Sequence, residues 1–260
     1  DINIVKVTGT RENDFELNCR EGNPLSDKNL RLALSYAVDR DVVAQVAGNG
    51  YSTPIGTAFP PSVGYDSDKV TAQTYDLDKA KECLEAAGYS DTDGDGIVDK
   101  DGEDLSLTIS ISNGSSTAVS ETLQDMWKKN LNVDLRLRTV ESKISLPLRE
   151  AGNYQMVRAS WTGDYNDPLT MLQIMTSDSD FNYGGFSNER YDNLIEYART
   201  SIDAEKRMEA LREAEAILFD EVPIIPFIYR TDFLVVSPKL KNYTDEPLGR
   251  YKFNYAYIEK

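Results

Sequence analysis

Two features of the chain predict an α/β fold, an open mixed or parallel sheet flanked by helices. The first is an alternation of segment types between residues 105 and 161. Leu105, Leu107, Ile109 and Ile111 alternate with polar residues; residues 117–130 then carry Val119, Leu123, Met126 and Trp127 on one helical side; Val133, Leu135 and Leu137 alternate again. Strand, helix of about a dozen residues, strand is the pattern of a right-handed parallel crossover. A helix over roughly 142–151 and a strand over 154–161 extend it. The second feature is size: 260 residues, 40% of them hydrophobic, suit one large domain or two small ones with a real core.

The elements on either side follow in order. Residues 14–19 alternate like a strand and end in a polar turn through Gly22, Asn23 and Pro24. Ser26 or Asp27 caps a helix with Leu30, Leu34, Ala37 and Val38 on one face, and a second helix from Asp41 to Ala47 ends at Gly48 and Gly50. Residues 51–75, with Pro54, Gly56, Pro60, Pro61 and Gly64, form a long irregular segment of the kind that tends to serve function. Asp76 or Asp78 opens a short helix closed by Gly88. Beyond the central strands, Asp167-Pro168 caps a helix bearing Leu169, Leu172 and Met175, Ser187 caps another bearing Tyr191, Leu194 and Ala198, and Asp203 caps a longer one through Phe219. Pro223 stops it; two apolar runs, 224–229 and 233–236, and an aromatic tail of little regular pattern complete the chain.

Composition excludes several functions. A formal charge of −16 argues against nucleic acid or an anionic membrane as partner, since both require a basic footprint. The chain has no histidine, which removes Ser-His-Asp and Cys-His chemistry and the commonest zinc ligand. Carboxylate pairs occur throughout so acidic a chain without catalytic context, so the reading is a binding protein and not an enzyme. Cys19 and Cys83 are too few for a disulfide framework; Cys83 falls on an apolar helix side and Cys19 in a strand-like run. No apolar run approaches the roughly 18 residues that cross a membrane. No signal-peptide pattern starts at Asp1, which reads as a mature form or a fragment.

Four features carry chemistry. In Asp91-Thr92-Asp93-Gly94-Asp95-Gly96-Ile97-Val98-Asp99, acidic oxygens at alternate positions and a glycine at the sixth match the opening of a calcium loop, with Asp91, Asp93, Asp95 and Asp99 as ligands. The pattern fails at position 12, which is Gly102 where a bidentate Glu is expected, and a strand follows instead of a helix; an acidic connecting turn is the competing reading. Trp161 to Pro168 lies just past the carboxyl end of a predicted parallel strand, where open α/β sheets place ligands, and an aromatic beside Asp164 and Tyr165 suits a cationic amine. Arg149 and Arg158 can anchor a ligand carboxylate or form structural ion pairs. The excess of tyrosine, 15 in all, suits peptides or sugars but discriminates weakly.

The run from Asn23 to Arg40 (Asn23-Pro24-Leu25-Ser26-Asp27-Lys28-Asn29-Leu30-Arg31-Leu32-Ala33-Leu34-Ser35-Tyr36-Ala37-Val38-Asp39-Arg40) resembles the signature stretch of the extracellular solute-binding proteins, family 5, of peptide ABC transporters. Leu84 to Tyr89, the Asp-Gly-Asp-Gly-Ile loop, Trp161 to Pro168 and Val222 to Phe227 agree in the family's order. The resemblance implies a lobe of the periplasmic-binding-protein type II kind. Residues 1–225 would form the C-terminal ligand-binding lobe, and 226–260 a segment that packs back on the first lobe of a protein about twice as long. It implies a peptide ligand held between two lobes, with Asp164 of the Trp-x-x-Asp step on the α-amino group and Arg149 and Arg158 towards the carboxylate. ABC transporter permease subunits would be the partners, with no cofactor beyond calcium. The location would be extracytoplasmic, periplasmic or as a cell-surface lipoprotein, and the membrane would be touched only through an anchor outside this chain. The same scaffold serves sugars, nickel and other small ligands, and an interaction module docking through its calcium loop is a further alternative.

Overall fold

The computed structural model describes residues 2–48, 52–55, 70, 72–245 and 251–260; most of the long irregular segment of 51–75 therefore lies outside the described residues. In chain order the elements are β1 (Asn3–Leu17), α1 (Lys28–Tyr36), α2 (Arg40–Gly48), β2 (Thr53–Pro54), α3 (Leu77–Ala86), β3 (Asp99–Lys100), β4 (Glu103–Asp104), β5 (Ser106–Ser112), α4 (Ala118–Leu131), β6 (Asp134–Val140), α5 (Ser142–Glu150), β7 (Met156–Thr162), α6 (Leu169–Leu172), α7 (Glu189–Thr200), α8 (Ala204–Glu221) and β8 (Ile224–Val236). Two-residue strands β9 (Leu240–Lys241) to β12 (Tyr257–Ile258) pair within the tail, so it carries more regular structure than its sequence pattern suggests.

The main sheet has the order β2-β8-β1-β7-β5-β6. Its parallel half is the expected crossover: β5 pairs in parallel with β6 through α4 and with β7 on its other side. The other half is antiparallel, because β1 pairs with both β7 and β8. The two apolar runs are one strand, β8, whose partner β1 lies more than two hundred residues away in sequence. Strand β8 therefore runs through residue 226 while paired with β1. Its register slips where Asn13 faces Ile228 and Asp14 faces Pro226, and such a bulge is a place where a sheet tolerates proline. Beyond the end of β7, residues 3–8 of β1 pair only with 231–236, leaving a two-stranded ribbon on which Ile4, Phe233 and Val235 are exposed.

Helices cover both faces. Strands β1 and β5 share one face with α1 to α4, whose core holds Phe15, Leu34, Val43, Leu84, Leu107, Ile109, Leu123 and Trp127. A second core holds Leu172, Tyr191, Ile195, Leu211 and Leu218 from α6 to α8, and a small third one joins Leu148 of α5 to Val140, Tyr154 and Val157. The Trp127 indole donates to the Leu34 carbonyl at 3.1 Å, joining α4 to α1.

Capping follows the sequence with one exception. Asp27 accepts from the Asn29 and Leu30 amides, Asp76 from Lys79 and Asp203 from Lys206. The α7 cap is Asn188, not Ser187: its side chain accepts from the Tyr191 amide at 3.1 Å, the reach of a cap to N3. Cys19 lies past the end of β1 and is not in a strand; it and Cys83 are both free.

The stretch from Asn23 to Arg40 ties helices to the sheet. The Arg31 guanidinium, 4% exposed, donates to the carbonyls of Leu25, Ser26 and Glu221. Arg40 donates to the carbonyls of Pro226 and Gln73.

Candidate functional site

The site grows from the period-two geometry of β1. Alternate side chains point to opposite faces of a strand, so Glu12, Asp14 and Glu16 share one face while Arg11, Asn13 and Phe15 share the other. On β7, which pairs Phe15 with Arg158 and Glu12 with Trp161, the same alternation sets Arg158 and Ser160 apart from Val157, Ala159 and Trp161. Two adjoining cavities result.

One cavity, of about 170 Å³, is lined by Glu12, Asp14, Glu16, Arg149, Trp161 and Tyr183 together with the apolar Met171, Met175, Phe181 and Leu218. Glu16 is the satisfied acid of the three: Arg149 forms an ion pair with it at 2.6 Å and the Tyr154 hydroxyl donates to it. Burial opposes the charge on Arg149, but Glu16 holds it above the ordinary arginine value. Its guanidinium also stacks 4.6 Å from the Tyr183 ring centre. The loop that brings Tyr183 here is fixed by backbone: the Cys19 amide donates to the Gly184 carbonyl, and a Cβ at Gly184 would stand 2.5 Å from the Leu17 carbonyl oxygen. Trp161 anchors the far wall. Its indole donates to the Thr170 carbonyl at 3.1 Å and its ring meets Phe181 edge-on, with centres 5.0 Å apart.

The second cavity, of about 320 Å³, is lined by Arg11, Asn13, Ser112, Ser116, Arg149, Arg158 and Ser160. Arg11 donates to the Ser160 hydroxyl and Arg158 to the Ser116 carbonyl at 2.9 Å. Among the described residues neither guanidinium forms an ion pair with a carboxylate. Burial, and next the Arg11 charge, lower the Arg158 value. Unpaired guanidiniums facing a groove are a receptor for an anion, above all a carboxylate that can meet the fork geometry.

Asp164 and Tyr165 line neither cavity. Both are exposed on the turn after β7. The Asp164 amide donates to the Thr170 hydroxyl at 2.9 Å, while its carboxylate makes no hydrogen bond or ion pair among the described residues. The turn is held from beneath by Asp167, which accepts from the Leu169 amide and from both terminal nitrogens of Arg207 at 2.8 Å. Burial, then the nearby Asp167 charge, raise the Tyr165 phenol.

Of the residues singled out from sequence, Trp161, Arg149 and Arg158 line these cavities, together with Arg11, Glu12, Asp14, Glu16 and Tyr183, which the sequence reading did not single out. The alternating acids of residues 12, 14 and 16 were the available signal for a charged strand face.

The acidic loop of residues 91–99 stands apart from these cavities. Carboxylate oxygens of Asp91, Asp93 and Asp99 lie within 4.8 Å of one another, as do those of Asp93, Asp95 and Asp104. Asp99 accepts from the Thr92 amide and hydroxyl, which hold it below the ordinary carboxylate range. Gly102 sits with Asp101 in the turn between β3 and β4, both at positive φ, the two-residue hairpin geometry that Asp-Gly favours. That hairpin replaces the exiting helix and twelfth ligand of the calcium pattern.

A mixed sheet with helices on both faces and cavities along β1 and β7 agrees with a lobe of the type II periplasmic-binding-protein fold. No helix among the described residues is long and apolar enough to cross a membrane. Residues 1–183 match the family described as bacterial extracellular solute-binding proteins, family 5 Middle, and the chain belongs to that family of solute binders. It is 30% identical over 243 residues to the oligopeptide-binding protein OppA of Bacillus subtilis, covering 92% of this chain and 44% of that protein. It is 33% identical over 241 residues to the periplasmic murein peptide-binding protein MppA of Escherichia coli, covering 88% and 42%. The solved structure of the E. coli murein tripeptide binding protein MppA superimposes with a TM-score of 0.81 at 29% identity, over 99% of this chain and 50% of that one. The chain spans about half the length of the curated relatives it matches.

Proposed function

We propose that this chain is one lobe of a two-lobed peptide receptor serving an ABC importer, capturing extended peptides outside the cytoplasm by binding and without catalysis. The observation that carries the reading is the opposition of unpaired charges along β7. Arg158, near the start of β7, faces a groove without a carboxylate partner, and the Asp164 carboxylate stands free just past the strand's other end; Arg11, opposite Thr162, lines the same groove. With a rise of about 3.3 Å per residue, Arg158 and Thr162 lie about 13 Å apart, the span of an extended peptide of a few residues. Such a peptide carries an ammonium at one end and a carboxylate at the other, and its main chain supplies affinity independent of side chains. Relatives whose names describe oligopeptide and murein-peptide binding support the ligand class.

In such a receptor a second lobe would close on this one, and permease subunits would take up the captured peptide. The exposed apolar residues Ile4, Val235, Phe253, Tyr257 and Ile258 support a tail that returns to that other lobe. In the two-lobed receptor, Asp164→Asn should weaken free-amine peptides by roughly thirtyfold to several thousandfold, the cost of unpairing a desolvated charge. N-acetylated peptides should bind it as they bind the wild type. Equal weakening of both, measured by calorimetry, overturns the amine assignment.

The acidic loop is a separate part of the proposal: Asp91, Asp93 and Asp99, with Asp95 beside them, would hold a structural calcium ion of the roughly millimolar affinity found in extracellular modules. Calcium should then raise the melting temperature of this chain, and Asp93→Asn should remove the increase. A melting temperature indifferent to calcium defeats it.

A further inference from the structure

We propose that the smaller cavity is a subsite for a cationic side chain of the peptide ligand, an aliphatic stem ending in an ammonium as in lysine, held by Glu12 and Asp14. The inference rests on the peptide reading above and adds to it which residue the site prefers. Glu12 and Asp14 are 2% and 7% exposed, and both line the cavity. Among the described residues, Glu12 Oε1 and Asp14 Oδ1 have no hydrogen-bond partner. Among the described residues the one cation lining the cavity, Arg149, is engaged by Glu16, so three buried carboxylates there face a single guanidinium. Buried charges are ordinarily paired, and an arriving ammonium would complete the set.

The remaining walls fit the rest of such a side chain. Trp161, Phe181 and Met171 are apolar, and a lysine stem packs on apolar surface while its head reaches polar groups. A cavity of about 150 Å³ holds a benzene-sized group, so 170 Å³ admits a side chain and not a whole peptide.

With nothing bound the pair retains a proton, shared through a hydrogen bond between the two side chains, and so carries less negative charge than two free carboxylates. Burial, then the Asp14 charge, raise the Glu12 carboxyl well above the ordinary range, and burial, then Glu16, push Asp14 up to about 7. The charged groups around it are Glu16 on the same strand, Arg149 from α5, and the phenols of Tyr154 and Tyr183. An ammonium entering the cavity displaces that proton to solvent, so its binding should strengthen as pH rises through neutrality.

The test is an NMR titration of this chain, with detection of side-chain carboxyl carbons. The probes are n-butylammonium against 1-butanol, and the peptides Ala-Lys-Ala against Ala-norleucine-Ala. The expected result is a shift of the Glu12 and Asp14 carboxyls with butylammonium only, and at least about tenfold tighter binding of Ala-Lys-Ala. Glu12→Gln and Asp14→Asn should each reduce that preference while leaving Ala-norleucine-Ala unaffected. Equal binding of the two tripeptides by the wild type overturns the cation subsite and leaves the peptide reading standing. Selective uptake of butylammonium with neither tripeptide bound keeps the subsite and removes the peptide reading. No response of either carboxyl to butylammonium overturns the subsite whatever the peptides do.

Discussion

Two regions of this lobe bury charged groups, and they treat them in opposite ways. At the seam where α1 and α2 meet the end of α8 and the start of β8, the buried arginines are closed by the chain itself: Arg31 meets three backbone carbonyls and the Glu221 carboxylate at 3.6 Å, and Arg40 meets two carbonyls and the Ser35 hydroxyl. Along the β1–β7 groove, the exposed Arg11 meets the Ser160 hydroxyl, Arg158 meets the Ser116 carbonyl and the Phe227 ring, and Glu12 and Asp14 keep oxygens without hydrogen-bond partners among the described residues. Buried polar groups are normally satisfied, so a region that leaves them open is built for something that arrives later. On the proposed reading the seam serves folding and the groove binding, although both are rich in the same side chains.

The largest expected effect breaks this comparison at the seam. Arg31→Met deletes the donors to the carbonyls of Leu25, Ser26 and Glu221 and should destabilise the chain by about 3–5 kcal/mol, the range for removing one partner of a buried charged network. Arg158→Met removes a guanidinium that pairs with no carboxylate and is partly exposed, so its cost should stay under about 1 kcal/mol, the scale of one hydrogen bond. Urea midpoints of the two variants check this directly. Comparable losses would mean that the groove arginine is as structural as the seam arginine, and the contrast would collapse.

The same contrast explains what the sequence shows in advance. The seam is local: Asn23 and Asp27 cap, Leu30 and Leu34 repeat at helical spacing, and the partners Leu25 and Ser26 of Arg31 lie within six residues of it. The crossover from β5 through α4 to β6 is likewise readable, because its strands lie one helix apart. The groove is not local. Which face of β1 becomes a cavity wall depends on β7, about 145 residues later, and on the apolar cover from α6 and α8. The alternation of Glu12, Asp14 and Glu16 announces a charged strand face, but nothing near it in sequence shows that the face is buried. Asp164 stood out by its place just past a predicted strand, Arg158 as a charge between the apolar Val157 and Ala159 of that strand, and both through the family resemblance; Arg149 needed Glu16, 133 residues away, to reveal that it is already engaged.

A smaller effect sharpens the comparison by asking what the open acids cost when nothing is bound. Asp14 is raised from 3.8 to about 7, first by burial and next by Glu16, so the folded chain holds a proton there that the unfolded chain releases. A folded value above the unfolded one means that stability is greatest below about 4 and declines as pH climbs towards 7. At about 1.4 kcal/mol per pKa unit, the loss across that window is no more than about 4 kcal/mol, and the neighbouring Glu12 shares in it. Asp14→Asn removes the titrating group while keeping the shape. Its urea midpoint should therefore gain on the wild type between about pH 4 and pH 7, the window these values set, and match it more closely at the acid end. If the two midpoints run in parallel over that window, Asp14 is not strained by its burial and the groove is no less satisfied than the seam. If the gap opens as expected, the folded lobe tolerates an unpaired acid at neutral pH, and a bound ammonium should restore to the wild type the stability that the variant gains by losing its charge.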